Sequence, residues 1–228
     1  MLLAALALLA ALPAKSLWID ELFTMQVAAE SDLGSLIARC IETERRPPLH
    51  YLALHGWQRV FGDSEMALRL PSVFFALLAL SLLARLARTL GSGRLGLWPA
   101  AVLAAMPTVI LYSRMARAYS MALALAVLST VLFLDALRRP SARAWAAYVL
   151  ASAALLYTDY AVISLILAQN LYVLYLWVRR PAAPAPRLSA WLLSQTALLL
   201  AFAPWLLVLA AQTQRAKLEA DFARGVAG

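Results

Sequence analysis

The chain has 228 residues, 64% of them hydrophobic and only 14% charged, against about 45–50% apolar and about 25% charged in an ordinary soluble domain. With a mean hydropathy of +0.76, this excludes a water-soluble globular protein and reads as an integral membrane protein. The net charge of +8 does not call for a polynucleotide, because the basic residues are scattered between apolar runs and form no stripe, so no nucleic-acid partner is expected.

Residues 1–14 (MLLAALALLAALPA) are apolar but fall short of the ~20 residues that a spanning helix needs. They lack a basic n-region, and cleavage after Ala14 would put Leu12 where a small residue is wanted. The expectation is a first transmembrane helix that has lost its beginning rather than a signal peptide. Residues 15–65 are polar and form a first outer loop. In it Leu33, Leu36, Ile37, Cys40 and Ile41 recur at helical spacing after the cap-like Ser31-Asp32, which predicts an amphipathic helix lying along the interface. Cys40, the single cysteine, excludes an internal disulfide framework or a cysteine-based metal cluster and reads as a small apolar filler. Arg45-Arg46-Pro47-Pro48 ends that helix. A second one, Leu49 to Phe61, is too short and too rich in His and Trp to span, and Ser64 caps the helix after it.

Further spans are predicted at about Met66–Leu86, Leu95–Tyr112, Ser120–Leu137, Ala144–Tyr160, Ala161–Val178 and Leu188–Ala211. Arg85, Arg88 and Arg94, then Arg138, Arg139 and Arg143, then Arg179, Arg180 and Arg187 mark three loops on one side. The positive-inside rule makes those loops cytoplasmic. The 15–65 segment, the Tyr112–Tyr119 and Thr158–Tyr160 turns and the 212–228 tail then share the opposite face, with most of the acids, while Asp135 stays inside. Pro181, Pro184 and Pro186 stiffen the last inner loop, and no internal repeat of the transporter kind is visible. The expected fold class is all-α: a polytopic transmembrane helix bundle of about seven spans, the first one short, with amphipathic juxtamembrane helices in the first outer loop. Its units are residues 1–14, 15–65, 66–211 and a polar outer tail, 212–228.

Three clusters on the outer face could carry chemistry. Asp20-Glu21 follows directly on the apolar Leu17-Trp18-Ile19. Carboxylates at a bilayer boundary are costly unless hydrated or paired, so the pair is a functional candidate, with a solvated helix cap as the alternative. Arg114 and Arg117 are three apart and share a face if that segment is helical. Beside Tyr112 and Tyr119 they suit bidentate contact with a phosphate, the alternative being interfacial anchoring. Asp159, with Tyr157 and Tyr160, lies in a hydrophobic helical hairpin, where an acid usually has a function. Acid on one loop and cation on another fit a reaction on a lipid-linked phosphate: a carboxylate takes the acceptor's proton and arginines stabilise the departing phosphate. His50 and His55, not well stacked on one helical face, could contact substrate, join a carboxylate-rich metal site or serve a structural interface.

The ordered motifs Trp18-Ile-Asp20-Glu21, Pro47-Pro48-Leu-His50-Tyr51, Phe61-Gly62-Asp-Ser-Glu65 with Arg69-Leu-Pro71-Ser72, Tyr112-Ser-Arg114-Met-Ala-Arg117-Ala-Tyr119 and Tyr157-Thr-Asp159-Tyr160 resemble the GT-C membrane glycosyltransferases. The branch is the protein-mannosyltransferase-like and aminoarabinose-transferase-like one. The resemblance runs from about Leu17 to Trp205. It implies a polyprenyl-phosphate sugar donor, inversion at the anomeric carbon, membrane lipids as surroundings, and a lipid, glycan or protein acceptor on the extracytoplasmic side of what would be a bacterial inner membrane. By the same resemblance Asp20 is the base or acceptor-orienting group, Glu21 its support or a metal ligand, and Arg114 and Arg117 the phosphate contacts. It also admits a divalent metal ion near the first loop. Related sequences often carry His where Asp159 stands, and they are longer, so the chain corresponds to their N-terminal part. The rival from another class is a non-catalytic membrane module that binds or transports the lipid carrier or acts as a scaffold. A transporter would place ionisable groups near mid-membrane, and the spans are almost free of them.

Overall fold

The computed structural model describes residues 17–44, 46–91, 98–179 and 186–226, with side chains except those of residues 43, 44 and 215–226. The expected short helix over 1–14, and Arg45, Arg94, Arg180, Pro181 and Pro184, lie outside the described residues. The described residues are helical throughout their regular parts and contain no strand. The order is α1 (Ile19–Ala28), α2 (Leu33–Arg39, prolonged by a π turn at Cys40–Glu44), α3 (Leu49–Phe61), α4 (Glu65–Thr89), α5 (Trp98–Ala105), α6 (Pro107–Ser113), α7 (Tyr119–Arg138), α8 (Ala142–Leu156), a 3-10 turn (Tyr160–Val162), α9 (Ile163–Arg179) and α10 (Leu188–Val226).

The polar caps expected from the sequence are present. Asp32 accepts the amides of Gly34 and Ser35 at the start of α2, and the Ser35 hydroxyl and amide pull its carboxyl down to about 2. Ser64 accepts the Ala67 amide at the start of α4. Leu36 and Cys40 are fully buried on the inner stripe of α2, as the helical spacing predicts.

Not all of the expected spans are present as single long helices. Among the described residues four helices are long and apolar enough to cross a membrane: Glu65–Thr89, Tyr119–Arg138, Tyr160–Arg179 and Leu188–Gln214. Within the described residues the predicted span at Leu95–Tyr112 is broken at Met106, because Pro107 lacks an amide hydrogen and starts a new helix, α6. The next, α8, stops at Leu156 before the polar Thr158-Asp159. Its 15 residues measure about 22 Å at ~1.5 Å per residue, short of the ~30 Å hydrocarbon core. At the other end of the chain, α10 continues without a break through the expected tail to Val226.

The bundle is built on α4 against α7, α7 against α8, and α8 against α10. Ala76 and Ala79 of α4, Ala124 and Ala136 of α7 and Ala151 of α8 are buried. Small residues let helix backbones approach closely where lipid removes the hydrophobic drive for association. Leu150, Leu171, Leu193 and Leu207 point outward and are largely exposed, as lipid-facing side chains would be.

The two ends differ. At one, α1, α2 and α3 form a cap over the start of α4 and the turn before α7, through Ala28, Leu54, Leu68 and Ala116. A second cluster ties Leu36, Cys40 and Tyr51 of this cap to Phe202 and Trp205 of α10. At the other end Phe133, Trp145, Tyr148 and Leu176 pack together, and Arg85 donates to Asp135 at 2.9 Å, so the ends of α4 and α7 that carry arginines meet, as the charge pattern requires.

Candidate active site

The adjacent acids of α1 have opposite environments. Because successive helical residues project about 100° apart, Glu21 turns into the protein and Asp20 turns out. Glu21 is completely buried, whereas the Asp20 side chain keeps 57% of its exposure.

Four donors hold the Glu21 carboxylate. Arg69 of α4 gives Nε to Oε1 at 3.0 Å and Nη2 to Oε2 at 2.8 Å, a two-pronged contact that the planar guanidinium is shaped to make. The Ala116 amide donates to Oε1 at 2.8 Å and the Trp18 amide to Oε2 at 3.0 Å. Burial raises the carboxyl pKa. Arg69 and the Trp18 and Ala116 amides lower it by more, so Glu21 sits below the ordinary value and is ionised. A carboxylate offers about four acceptor positions, and all of these are taken. Glu21 is therefore a clamp joining α1, α4 and the turn before α7.

That turn is not helical. The sequence allows Arg114 and Arg117 to share a helical face, but residues 114–118 form an irregular bend between α6 and α7. The physical reason lies in its backbone: the Ala116 amide is taken by Glu21, and the Met115 carbonyl accepts from Ser72 of α4 at 2.6 Å. Tertiary partners have replaced the helical ladder. The bend delivers Arg117 to α1, where Nη1 donates to the Asp20 carbonyl at 3.1 Å and to the Thr24 hydroxyl at 2.9 Å, and Nη2 lies 4.0 Å from the Asp20 carboxylate. Arg117 is buried, and Arg114, on the same bend, is half-buried. Tyr112 and Tyr119 flank the bend with ring centroids 4.7 Å apart.

His50, at the start of α3, joins this group. It is buried, and its Nε2 has no hydrogen-bond partner among the described residues. Burial pushes its pKa down to about 4; the Ala116 carbonyl opposes this, and the charges of Arg117 and Arg46 add to it. His50 is a neutral ring at the back of the bend. His55 is also buried and bonds the Ala28 carbonyl at 2.8 Å, which fixes α3 to α1. Both histidines are enclosed because α3 is covered on two sides, by α1 and by the chain near Ala116.

Asp159 and Tyr160 occupy a separate corner. Asp159 caps the 3-10 turn, accepting the Ala161 amide at 2.9 Å, and Tyr160 accepts from the Trp205 indole at 2.7 Å. The corner meets the first group at α3, where the Leu49 amide donates to the Tyr157 carbonyl at 3.0 Å. The structure thus brings together Asp20, Glu21, Arg117 and His50, sets Arg114, Tyr112 and Tyr119 on the same bend, and leaves Asp159 and Tyr160 against α10.

The sequence motifs include Arg69 and Ser72, but sequence reasoning assigns no site role to Arg69, Thr24, Ser72 or Arg46. For Arg69 a signal existed: a charge inside the apolar run of a membrane helix, where charges are rare and paired. Ser72 stands in the same resemblance motif, and nothing in the sequence marks Thr24. Among the described residues no three His, Cys, Asp or Glu side chains converge in a way that could hold a metal ion. With Glu21 saturated and Asp20 the one open carboxylate beside Arg117 among them, the residues do not fit a divalent cation.

A family model described as dolichyl-phosphate-mannose-protein mannosyltransferase matches residues 45–208. The match covers well over half of the chain, from just before α3 into α10, and includes Arg69 and the Arg114–Arg117 bend. It begins after Asp20 and Glu21. No curated protein and no solved structure gave a significant match.

Proposed function

The chain belongs to the dolichyl-phosphate-mannose-protein mannosyltransferase family, membrane glycosyltransferases of GT-C type, and on that premise we propose that it transfers a sugar from a polyprenyl-phosphate-linked donor to an acceptor on the extracytoplasmic side of a bacterial inner membrane. The observation that carries this reading is the pairing of an exposed carboxylate, Asp20, with an internally anchored cation, Arg117, at 4.0 Å. In the reaction the acceptor hydroxyl oxygen forms a bond to the anomeric carbon as its proton passes to Asp20. The bond from that carbon to the phosphate oxygen breaks, and the electron pair leaves with the phosphate. Arg114 and Arg117 stabilise the charge that collects there. Glu21 and Arg69 keep α1 and the bend in register. Tyr112 and Tyr119 bound the phosphate side. No step is assigned to a metal.

Glu21 orients its neighbour through the backbone, since any shift of α1 moves Asp20 relative to Arg117. A displacement of about 1 Å at a reacting group can cost ~100-fold in rate. The test is transfer from a polyprenyl-phosphate sugar in proteoliposomes. Asp20→Asn is expected to lower turnover by about 10²–10⁴-fold while the donor still binds. Full transfer by Asp20→Asn would overturn the assignment.

A second reading has one observation in its favour. Arg117 already bonds the Asp20 carbonyl and Thr24 and is buried, which suits a module that holds a lipid carrier without turning it over. Donor binding with no transfer by the wild-type chain, lost in Arg114→Ala and Arg117→Ala, would select that reading.

A further inference from the structure

The arginine-rich end of the bundle carries a groove that the proposed reaction does not use. It encloses about 720 Å³ between α8 and α10, within the ~300–1,000 Å³ of ligand sites. Val149 and Leu150 wall it on one side and Leu193 and Ala197 on the other, with Trp145 and Arg187 nearer the mouth. The lining reaches from Pro140 to Leu150 on one stretch of chain and from Arg187 to Ala197 on the other. The helical part of the lining, Ala142 to Leu150 of α8, rises about 12 Å at ~1.5 Å per residue, within half of the ~30 Å hydrocarbon core. The groove is one leaflet deep.

Its mouth is positively charged. Arg187 lines it, and Arg139 and Arg143 flank the Pro140-Ser141-Ala142 stretch that closes the other side. The nearby acid Asp135 is already bonded to Arg85. Indoles mark the depth of the headgroups: Trp177 donates to the Pro186 carbonyl at 3.0 Å and packs edge-on against Trp191, with ring centroids 5.2 Å apart, and tryptophan concentrates at the membrane–water boundary. Basic pockets between transmembrane helices take anionic lipid headgroups.

We propose that this groove binds an anionic phospholipid of the adjacent leaflet, one acyl chain lying between α8 and α10 and the headgroup phosphate at Arg187. Depth decides against the sugar donor as occupant. The donor's phosphate would sit at the opposite end of the bundle, beyond the reach of a cleft that stops at half the membrane.

The test uses the full chain, purified and delipidated in detergent, and titrated with phosphatidylglycerol or phosphatidylcholine carrying brominated acyl chains. The Trp145 contribution to fluorescence quenching is read as the difference between wild type and Trp145→Phe. The brominated anionic lipid should quench Trp145 at about fivefold lower concentration than the zwitterionic one, the ratio that corresponds to ~1 kcal/mol for one arginine near a charged headgroup. Arg187→Gln should abolish that preference, and Ala197→Phe, which fills the groove, should reduce quenching by either lipid. If Ala197→Phe does not fold, Ala146→Leu fills the same space from α8. Equal quenching by the two lipids would overturn the proposal. So would an anionic preference that survives Arg187→Gln, quenching unchanged by the filling variants, or displacement of phosphatidylglycerol by lower concentrations of undecaprenyl phosphate.

Discussion

At the acidic end, Glu21 and Arg69 meet as a pair of full charges, closed off from solvent and completed by two backbone amides. Between the spans a second buried polar cluster carries no charge. Tyr148 of α8 donates to Gln169 of α9 at 3.0 Å, Gln169 donates to Ser129 of α7 at 3.2 Å, and Ser129 and Ser152 share a hydrogen bond of 2.8 Å. Both clusters join three separate segments. The difference follows depth: a charge pair is tolerable beneath a cap that borders water, whereas ions at mid-membrane cost several kcal/mol more, and neutral amides and hydroxyls can be satisfied there by one another. The consequence is asymmetric. Losing half of the charged clamp strands an ion, but losing one member of the neutral chain strands a dipole.

Arg69→Met puts the largest strain on that contrast. It leaves the Glu21 carboxylate buried with only the Trp18 and Ala116 amides, and breaking a buried pair from one side typically costs about 3–5 kcal/mol. The loss should appear as a lowered midpoint of SDS-induced unfolding in mixed micelles. Glu21→Leu with Arg69→Met removes both charges and should recover most of that stability. If the single variant unfolds at the wild-type midpoint, the pair does not hold the cap.

The pH profile tests the same end of the molecule through His50. Its folded pKa of about 4 lies below the ordinary 6.5, so between these values the unfolded chain binds a proton that the folded chain refuses. Stability from the neutral ring is complete above pH 6.5 and is lost as the pH falls towards 4, a change of about 3 kcal/mol at ~1.36 kcal/mol per unit. Glu21 acts in a lower window. Its pKa is depressed from 4.5, so its contribution is present above that value and disappears as the pH drops through the folded value. Thermal unfolding midpoints in detergent should therefore fall in two stages on acidification. His50→Phe should remove the upper stage and leave the lower one. An unchanged slope between pH 6.5 and 4 in His50→Phe would show that some other group titrates there.

How far the residues announce this arrangement depends on whether the signal is local. The cap helices are legible: Asp32, Ser64 and the stripe of Leu36 and Cys40 are short-range features, and α2, α3 and the start of α4 follow from them. Asp20-Glu21 also stands out, because two carboxylates next to an apolar run are costly by composition alone. Their division of labour is not visible, since which acid turns inward depends on Arg69, 48 residues away, and on the Ala116 amide. The bend at Arg114–Arg117 looks helical by spacing because its real backbone partners, Glu21 and Ser72, are distant in the chain. The spans expected at Leu95–Tyr112 and Ala144–Tyr160 come out interrupted or short for a related reason. Hydropathy averages across Met106-Pro107 and across Tyr157-Thr158, where the chain in fact breaks.

The smallest effect is expected in the neutral cluster, at Gln169→Leu. The substitution removes the acceptor of the Tyr148 hydroxyl and the donor to Ser129 but leaves Ser129 and Ser152 bonded to each other. The Tyr148 hydroxyl then keeps only its contacts with Ser152 and Gln195. Hydrogen bonds between transmembrane helices are worth about 0.6 kcal/mol on average and ~1.7 at most, because the unfolded chain in the membrane also finds partners. The unfolding midpoint should shift by that much, several times less than in Arg69→Met. Should Gln169→Leu cost as much as Arg69→Met, charge is not what separates the two clusters, and the neutral chain must be carrying the alignment of α7, α8 and α9 by itself.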